Sequence, residues 1–330
     1  MNAESYKNTF TSLSIWGRNS EDGRNVTNSA SNITWKTDIG AAAQLDFSFP
    51  IGKDEYLPNN GDQVDFVWND KMLFIGHIFK KKIDNNGNIS ITAYGYSRYL
   101  KGTGTYVWPA TSSAERFERI RNDLSIKSEI VDWPSYRVPE EITDATTFFD
   151  MIKNVMNKTK EATGEEYMLL DDTDVVKHIN IKRMDTDLVL GDGDMLTSWS
   201  WEHSSEEMAT VVQVTHEDNQ SKARELVAAR SDDGIRKYGP LYHTESISGE
   251  VNSAQLQDKA NALLKQKEHP ESTLKIKALG DSRVRAGTSL YVAIKEIGGR
   301  GIEERQRVRV KSCTHNFETK WTMDLEVELI

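Results

Sequence analysis

The sequence predicts an α+β, mainly β fold in which two antiparallel β regions flank a small α/β module. Three observations carry this. Alternating apolar residues and turn signals fill the first hundred residues. A helical apolar period takes over near residue 110, and alternation returns after Gly191. At 330 residues the chain is too long for one ordinary core, so two or three domains are expected.

In "DQVDFVW", Val64, Phe66 and Trp68 share one face of a strand, with Asp65 and Val67 on the other. Asn69-Asp70 then offers a tight turn into "MLFIGHIF", a more continuously apolar strand in which Gly76 suggests a bulge or close bend. Asn86-Gly87, between "KKKID" and "NISITAYGY", predicts a type I′ hairpin turn, which needs positive φ at both central residues. These strands make a small antiparallel barrel or sandwich.

"SSAERFERIRNDL" opens with a capping box, Ser112 to Glu115, and repeats apolar residues at Ala114, Phe117, Ile120 and Leu124. A second helix after "PEEITDA" carries Phe148, Ile152, Val155 and Met156 on one stripe, with Gly164 as its C′ residue. Two strands, "EYMLLD" and "KHINIKRM", complete the module.

Beyond "GDGDM", the segments "LTSWSWEH" and "ATVVQVTHE" predict strands. A helix over 253–267 follows, with Leu256, Ala260, Leu263 and Leu264 on one side and Pro270 past its end. "STLKIKALG", "AGTSLYVAIKEI" and a closing hairpin with its turn near Glu318 to Lys320 finish the chain. In the last strand Met323, Leu325, Val327 and Leu329 alternate with Asp324, Glu326 and Glu328, which predicts one buried and one acidic face. "GDQVDFVW" (61–68) and "GTSLYVAI" (287–294) echo each other, since both set a glycine before a strand with the same apolar offsets.

Composition excludes several functions. Hydrophobic residues make 37% and charged residues 28% of the chain, and no apolar run approaches the ~20 residues of a membrane span. The first twenty residues lack a basic n-region and an apolar h-region, so synthesis without export is expected. A net charge of -10 disfavours binding to nucleic acid, which rests on phosphate neutralisation. The basic run Lys80 to Lys82 follows an apolar strand and reads as solvated edge positions.

The single cysteine, Cys313, lies two residues before His315 and raises the question of a nucleophile and its base. On a strand these positions are about 6.5 Å apart, an awkward spacing for a thiol–imidazole hydrogen bond. The seven histidines are scattered without metal-ligand spacing. Turn chemistry accounts for Asp171, Asp172, Asp192 and Asp194. "GGRGIEE" lacks the lysine and hydroxyl residue of a phosphate-binding loop, and no cofactor motif is present.

Several of these stretches resemble phage baseplate hub proteins of contractile tails. "GDQVDFVWNDKMLFIGHI" is similar to the family's first-barrel signature, a glycine-led strand and a hairpin ending in F-x-G-x-I. "SDDGIRKYGPLYHTESI" resembles its second-barrel segment, and "GTSLYVAIKE" with "VKSCTHNFETKWTMDLEVEL" its last strands. The resemblance spans nearly the whole chain and is nearest to the XkdQ/YqbQ type of PBSX-like prophages and tailocins.

It implies two tube-type antiparallel β-barrel domains, 1–103 and 191–330, the second carrying the helix at 253–267, around an α/β insertion at 104–190. It also implies a non-enzymatic homotrimer in the particle, assembled in the host cytoplasm and presenting six barrels between a sixfold tube and a threefold spike. The implied partners are the tail tube, spike, wedge and tape measure proteins. In that setting Asp324, Glu326 and Glu328 become candidates for lining the channel, and Trp199 and Trp201 for a core or interface. The rival readings are a peptidoglycan hydrolase using Cys313 or an acidic pair, and a cell-wall carbohydrate binder stacking sugars on Trp199 and Trp201.

Overall fold

A computed structural model describes residues 11–18, 23–52, 56–191, 195–217, 224–247, 252–297 and 305–330. The first region forms seven strands: β1 (Ser12–Trp16), β2 (Gly23–Asn25), β3 (Ser31–Asp38), β4 (Ala41–Pro50), β5 (Gln63–Trp68), β6 (Lys71–Ile83) and β7 (Asn88–Tyr94). They are ordered β3-β4-β7-β6-β5-β1-β2 and are antiparallel throughout. Leu13, Ile15, Leu45, Phe47, Val64 and Phe66 point into one buried core, as alternation requires.

Asn69 and Asp70 both have positive φ, 50° and 63°, so the β5–β6 turn is the one with type I′ character. The expected type I′ turn at Asn86-Gly87 is corrected: among its central residues only Gly87 has positive φ, 76°. There the Gly87 amide donates to Asp84 O at 3.1 Å, and the Asp84 carboxylate takes the amides of Asn86 and Asn88, 2.9 Å each. The aspartate thus supplies acceptors that make a longer, bulged turn the better solution. At Gly76 a Cβ would come within 2.3 Å of Tyr94 O, so close backbone approach excludes a side chain.

The α/β module contains β8 (Thr103–Trp108), α1 (Ser113–Leu124), β9 (Ser128–Ile130), β10 (Glu141–Thr147), α2 (Phe148–Thr163), β11 (Tyr167–Asp172) and β12 (Val175–Asn180). The Ser112–Glu115 capping box forms as predicted, and Gly164 ends α2 in the left-handed region. The predicted strand "KHINIKRM" stops at Asn180, whose side chain caps a 3-10 turn over Ile181–Met184. Phe117, Ile120, Met151, Ile152 and Leu169 fill the module's core.

β13 (Asp185–Gly191) and β14 (Leu196–Ser204) follow. Residues 200–274 make one compact unit, and 1–199 with 275–330 make the other. In the smaller unit β15 (Val211–Glu217) pairs antiparallel with β16 (Arg224–Arg230) and parallel with β17 (Tyr242–Ile247). α3 (Asp232–Tyr238) lies between β16 and β17 in the chain, and α4 (Ser253–Lys267) packs Leu256, Ala260 and Leu263 on Val212, Val214 and Ala229. The chain then runs through β18 (Glu271–Leu279), β19 (Ser289–Ala293), β20 (Gln306–Phe317) and β21 (Trp321–Leu329).

The first and last β regions share one sheet. Strand β20 pairs with β21, with β19 over its first residues, and with β3 over Ser312–Asn316. Phe66 of β5 and Phe317 of β20 are five strands apart, roughly 24 Å if the sheet were flat. Their rings lie 4.8 Å apart, so the sheet is strongly curled. Its ladder stays open among the described residues, ending at β2, at β14 and, on the branch through β19, at β13, so the expected closed barrels are not formed by hydrogen bonding.

Two strand sets repeat within it. The order β3-β4-β7-β6-β5-β1 is matched by β14-β18-β21-β20-β19-β13, with members corresponding in chain order. The match reaches single hydrogen bonds. Gly61 N–H donates to Ile78 O at 2.7 Å and Gly287 N–H to Val310 O at 2.8 Å, with φ of 93° and 90° at the two glycines. Ile78 and Val310 donate back to Asp62 O and Thr288 O, 2.9 Å each. The Asp62 and Thr288 side chains accept from the amides of Asn59 and Arg285, and each repeat then bulges one residue on, at Phe79 and Lys311. The repeats differ at their first strands, since β1–β5 is antiparallel and β13–β19 parallel.

Buried His178 ties the module together. Its Nδ1–H donates to Asp132 O at 3.0 Å, so Nε2 accepts from the Ser113 hydroxyl at 2.9 Å. Burial lowers its pKa from 6.5 to about 4. The unfolded chain therefore takes up a proton near pH 6.5 that the folded chain refuses until about pH 4. Stability should fall as pH drops through that window, by up to about 3 kcal/mol from this group. Urea denaturation at pH 7.5 and 5 should show a shallower loss in His178→Gln; an unchanged loss would mean that His178 titrates alike in both states.

Candidate functional site

The closing hairpin β20–β21 brings together the cysteine, the histidine and the acidic row singled out in the sequence. Its turn falls between Phe317 and Trp321, as expected. Cys313 and His315 are fully buried and both aim at one carbonyl, that of Val284. His315 Nε2–H donates to Val284 O at 2.8 Å, and Nδ1 accepts from the Trp321 indole N–H at 3.2 Å. Trp35 stacks on the imidazole with ring centroids 5.2 Å apart.

Both ring nitrogens are thus committed in one neutral tautomer, and burial lowers the imidazole pKa. Burial also drives the Cys313 thiol well above its ordinary range, away from the reactive thiolate. The arrangement cannot generate a nucleophile. It works as a polar clasp that satisfies an otherwise buried carbonyl inside an aromatic cluster of Phe66, Trp68, Phe317 and Trp321.

Met323, Leu325 and Val327 are buried as predicted, while Leu329 is half-buried. The three carboxylates opposite them are not equivalent. Asp324 is exposed, accepts from the Asn316 side-chain amide at 2.7 Å, and lies 3.9 Å from Lys277. Glu326 and Glu328 are half-buried, and Glu326 sits 3.7 Å from Lys311. Both line a cleft of about 500 Å³ against α2, shared with Lys36, Lys153, Lys160 and Lys311. Four lysines therefore offset this end of the row, which its i, i+2 spacing could not reveal.

Trp199 and Trp201 are half-buried, and the Trp201 indole nitrogen is buried without a partner. Neither presents a fully open stacking face. The acidic stretch "LDDTDVV" is structural. Asp171 accepts from the Ala43 amide at 2.9 Å, from the Ser97 amide at 2.9 Å and from the Ser97 hydroxyl at 2.6 Å, while Asp172 pairs with Lys177 and Arg285. Among the described residues no group of His, Cys, Asp and Glu could hold a metal ion. Asp192, Asp194 and "GGRGIEE" lie outside the described residues.

The sequence reading missed one surface feature. Val107 on β8 and Ile142 on β10 sit directly opposite each other and are 67% and 69% exposed. Alternation in "TGTYVW" and "EITDATT" was the available signal. One outcome checks the hairpin chemistry: a thiol reagent should leave Cys313 unmodified in the native protein and modify it fully in denaturant. Rapid native modification would restore the nucleophile reading.

The chain is 29% identical over 277 residues to phage-like element PBSX protein XkdQ of Bacillus subtilis (strain 168), covering 82% of each chain. Among solved structures it is similar to the 43 kDa tail protein of prophage MuSo2 from Shewanella oneidensis. That match has a TM-score of 0.69 and 11% identity, and covers 96% of this chain and 98% of that one. It is also similar to the E. coli c3393 protein, described as a component of the type VI secretion system with structural similarity to T4 tail proteins gp27 and gp5. There the TM-score is 0.52 at 9% identity, over 96% of this chain and 76% of that one. At such identities the structures speak to fold alone. The YQBQ-like family pattern matches residues 33–328, and the chain belongs to the YQBQ-like family.

Proposed function

We propose that this protein is the hub of a contractile tail baseplate, a trimeric adapter between a sixfold tail tube and a threefold spike. The internal repeat carries the reading. One chain holds two strand sets with the same order, the same glycine turn and the same bulge. Three chains would then present six equivalent sets, which meet a sixfold ring on one face and threefold symmetry on the other. The curled sheet is, on this reading, the wall of the first tube-type barrel, and the second set builds the other. A tail protein among its structural neighbours, and a relative from a phage-like element, support the same assignment.

The role is geometric and not enzymatic, since the one thiol is locked in the core. The α/β module serves as a peripheral docking surface for wedge proteins, with the exposed Val107–Ile142 pair as its apolar contact. The spike and the end of the tape measure are the remaining proposed partners. Of the acidic row, Asp324 has the exposure that a channel wall needs, where it would repel polyanionic cargo.

Microscopy of particles carrying a labelled copy should find the label at one end of the tail; label spread along the tail, or missing from it, defeats the hub assignment. Asp324→Asn should leave particles assembled and slow ejection, and unchanged ejection kinetics remove the channel role of that residue.

A further inference from the structure

We infer that copies of this chain join through a specific pair of strand edges: the outer half of β6, Lys80–Ile83, adds to the open edge of β14 in the next copy. This deepens the hub reading and rests on it. The template is inside the molecule. After its bulge at Lys311, β20 keeps β21 on one edge and takes β3 on the other, over Ser312–Asn316. β6 bulges at the equivalent residue, Phe79, and keeps β7 on one edge through Lys80–Ile83. Among the described residues no strand takes the other edge there.

The hydrogen bond from Asp84 N–H to Asn88 O sets the alternation, so the amides of Lys81 and Ile83 point away from β7. The complementary edge is also present. β14 holds the position in the second repeat that β3 holds in the first, with β18 on one side and no strand on the other among the described residues. The chain thus carries one filled β3–β20 junction and the two unfilled halves of a second.

Side chains fit the same pairing. Counting from the two bulges, Ile83 stands where His315 stands in the other repeat. His315 is buried under Trp35 of β3, whereas Ile83 is 45% exposed. β14 offers Trp199 and Trp201, both half-buried, where β3 offers Trp35. Pairing would withdraw these apolar groups from water. Lys80 and Lys82, both exposed, keep the β6 edge solvated until a partner arrives, which holds isolated chains apart, while Lys81 Nζ donates to Pro58 O at 2.6 Å. The junction is head to tail, and a chain that supplies two of six positions closes the ring at three copies.

By the Thr314–Lys36 pairing of β20 and β3, Lys82 would face Ser200 or Glu202 of β14; all three are exposed, so cysteines there can report the contact while Cys313 stays buried. Tail particles carrying Lys82→Cys with Ser200→Cys or Glu202→Cys, oxidised and run without reductant, should give two-chain and three-chain bands. Particles carrying any single substitution should give one-chain bands only. Particles that hold the chain at the tail tip yet give only one-chain bands with both double variants overturn the β6–β14 pairing and leave the hub reading standing. A chain absent from the tail tip overturns the hub reading and this pairing with it.

Discussion

The larger unit depends on β20 being hydrogen-bonded along both edges. A strand can hold two neighbours on one edge only if its ladder is interrupted between them. The bulge at Lys311 does this: β19 pairs before it and β3 after it, while β21 runs along the opposite edge. The break turns the direction of pairing, so the last β region of the chain joins the first. Phe317 can then reach the core that β1 to β7 enclose, and a curled sheet holds one aromatic cluster where a flat one would leave two half-covered faces.

The same burial decides the chemistry. Cys313 and His315 sit where β20 passes under Trp35, and both turn toward the Val284 carbonyl because that acceptor has no water to satisfy it. A low-polarity pocket disfavours both the thiolate and the imidazolium. On the solvent face of the hairpin the opposite holds, and the carboxylates there are set by which lysines the neighbouring elements bring near them.

Much of the fold was legible in the sequence because it rests on local rules. The Ser112–Glu115 box, the Gly164 stop and the helix at 253–267 appear where side-chain capping and apolar period put them. The acidic and apolar faces of β21 follow from a period of two. The Asn86-Gly87 turn departs because Asp84, three residues before the glycine, offers a carboxylate that the dipeptide pattern ignores. The β8–β10 ribbon was missed because its facing pair, Val107 and Ile142, looks to solvent, where no core enforces the pattern.

The sequence alone determined the helices α1, α2 and α4, the strands whose apolar alternation is clear and the faces these elements bury, and it set a glycine before β5 and β19, since these depend on neighbours a few residues apart. Tertiary structure alone decided that the echo between 61–68 and 287–294 is a repeat of strand order, turn bonds and bulge. It also decided that Glu326 and Glu328 share a lysine-lined cleft while Asp324 stays exposed, and that β14 and the outer half of β6, Lys80–Ile83, keep one edge unpaired among the described residues. Each of these turns on which distant strand lies alongside. Backbone amides and carbonyls pair equally well with any strand of the right register, so periodicity can set a strand's faces and leaves its neighbours open.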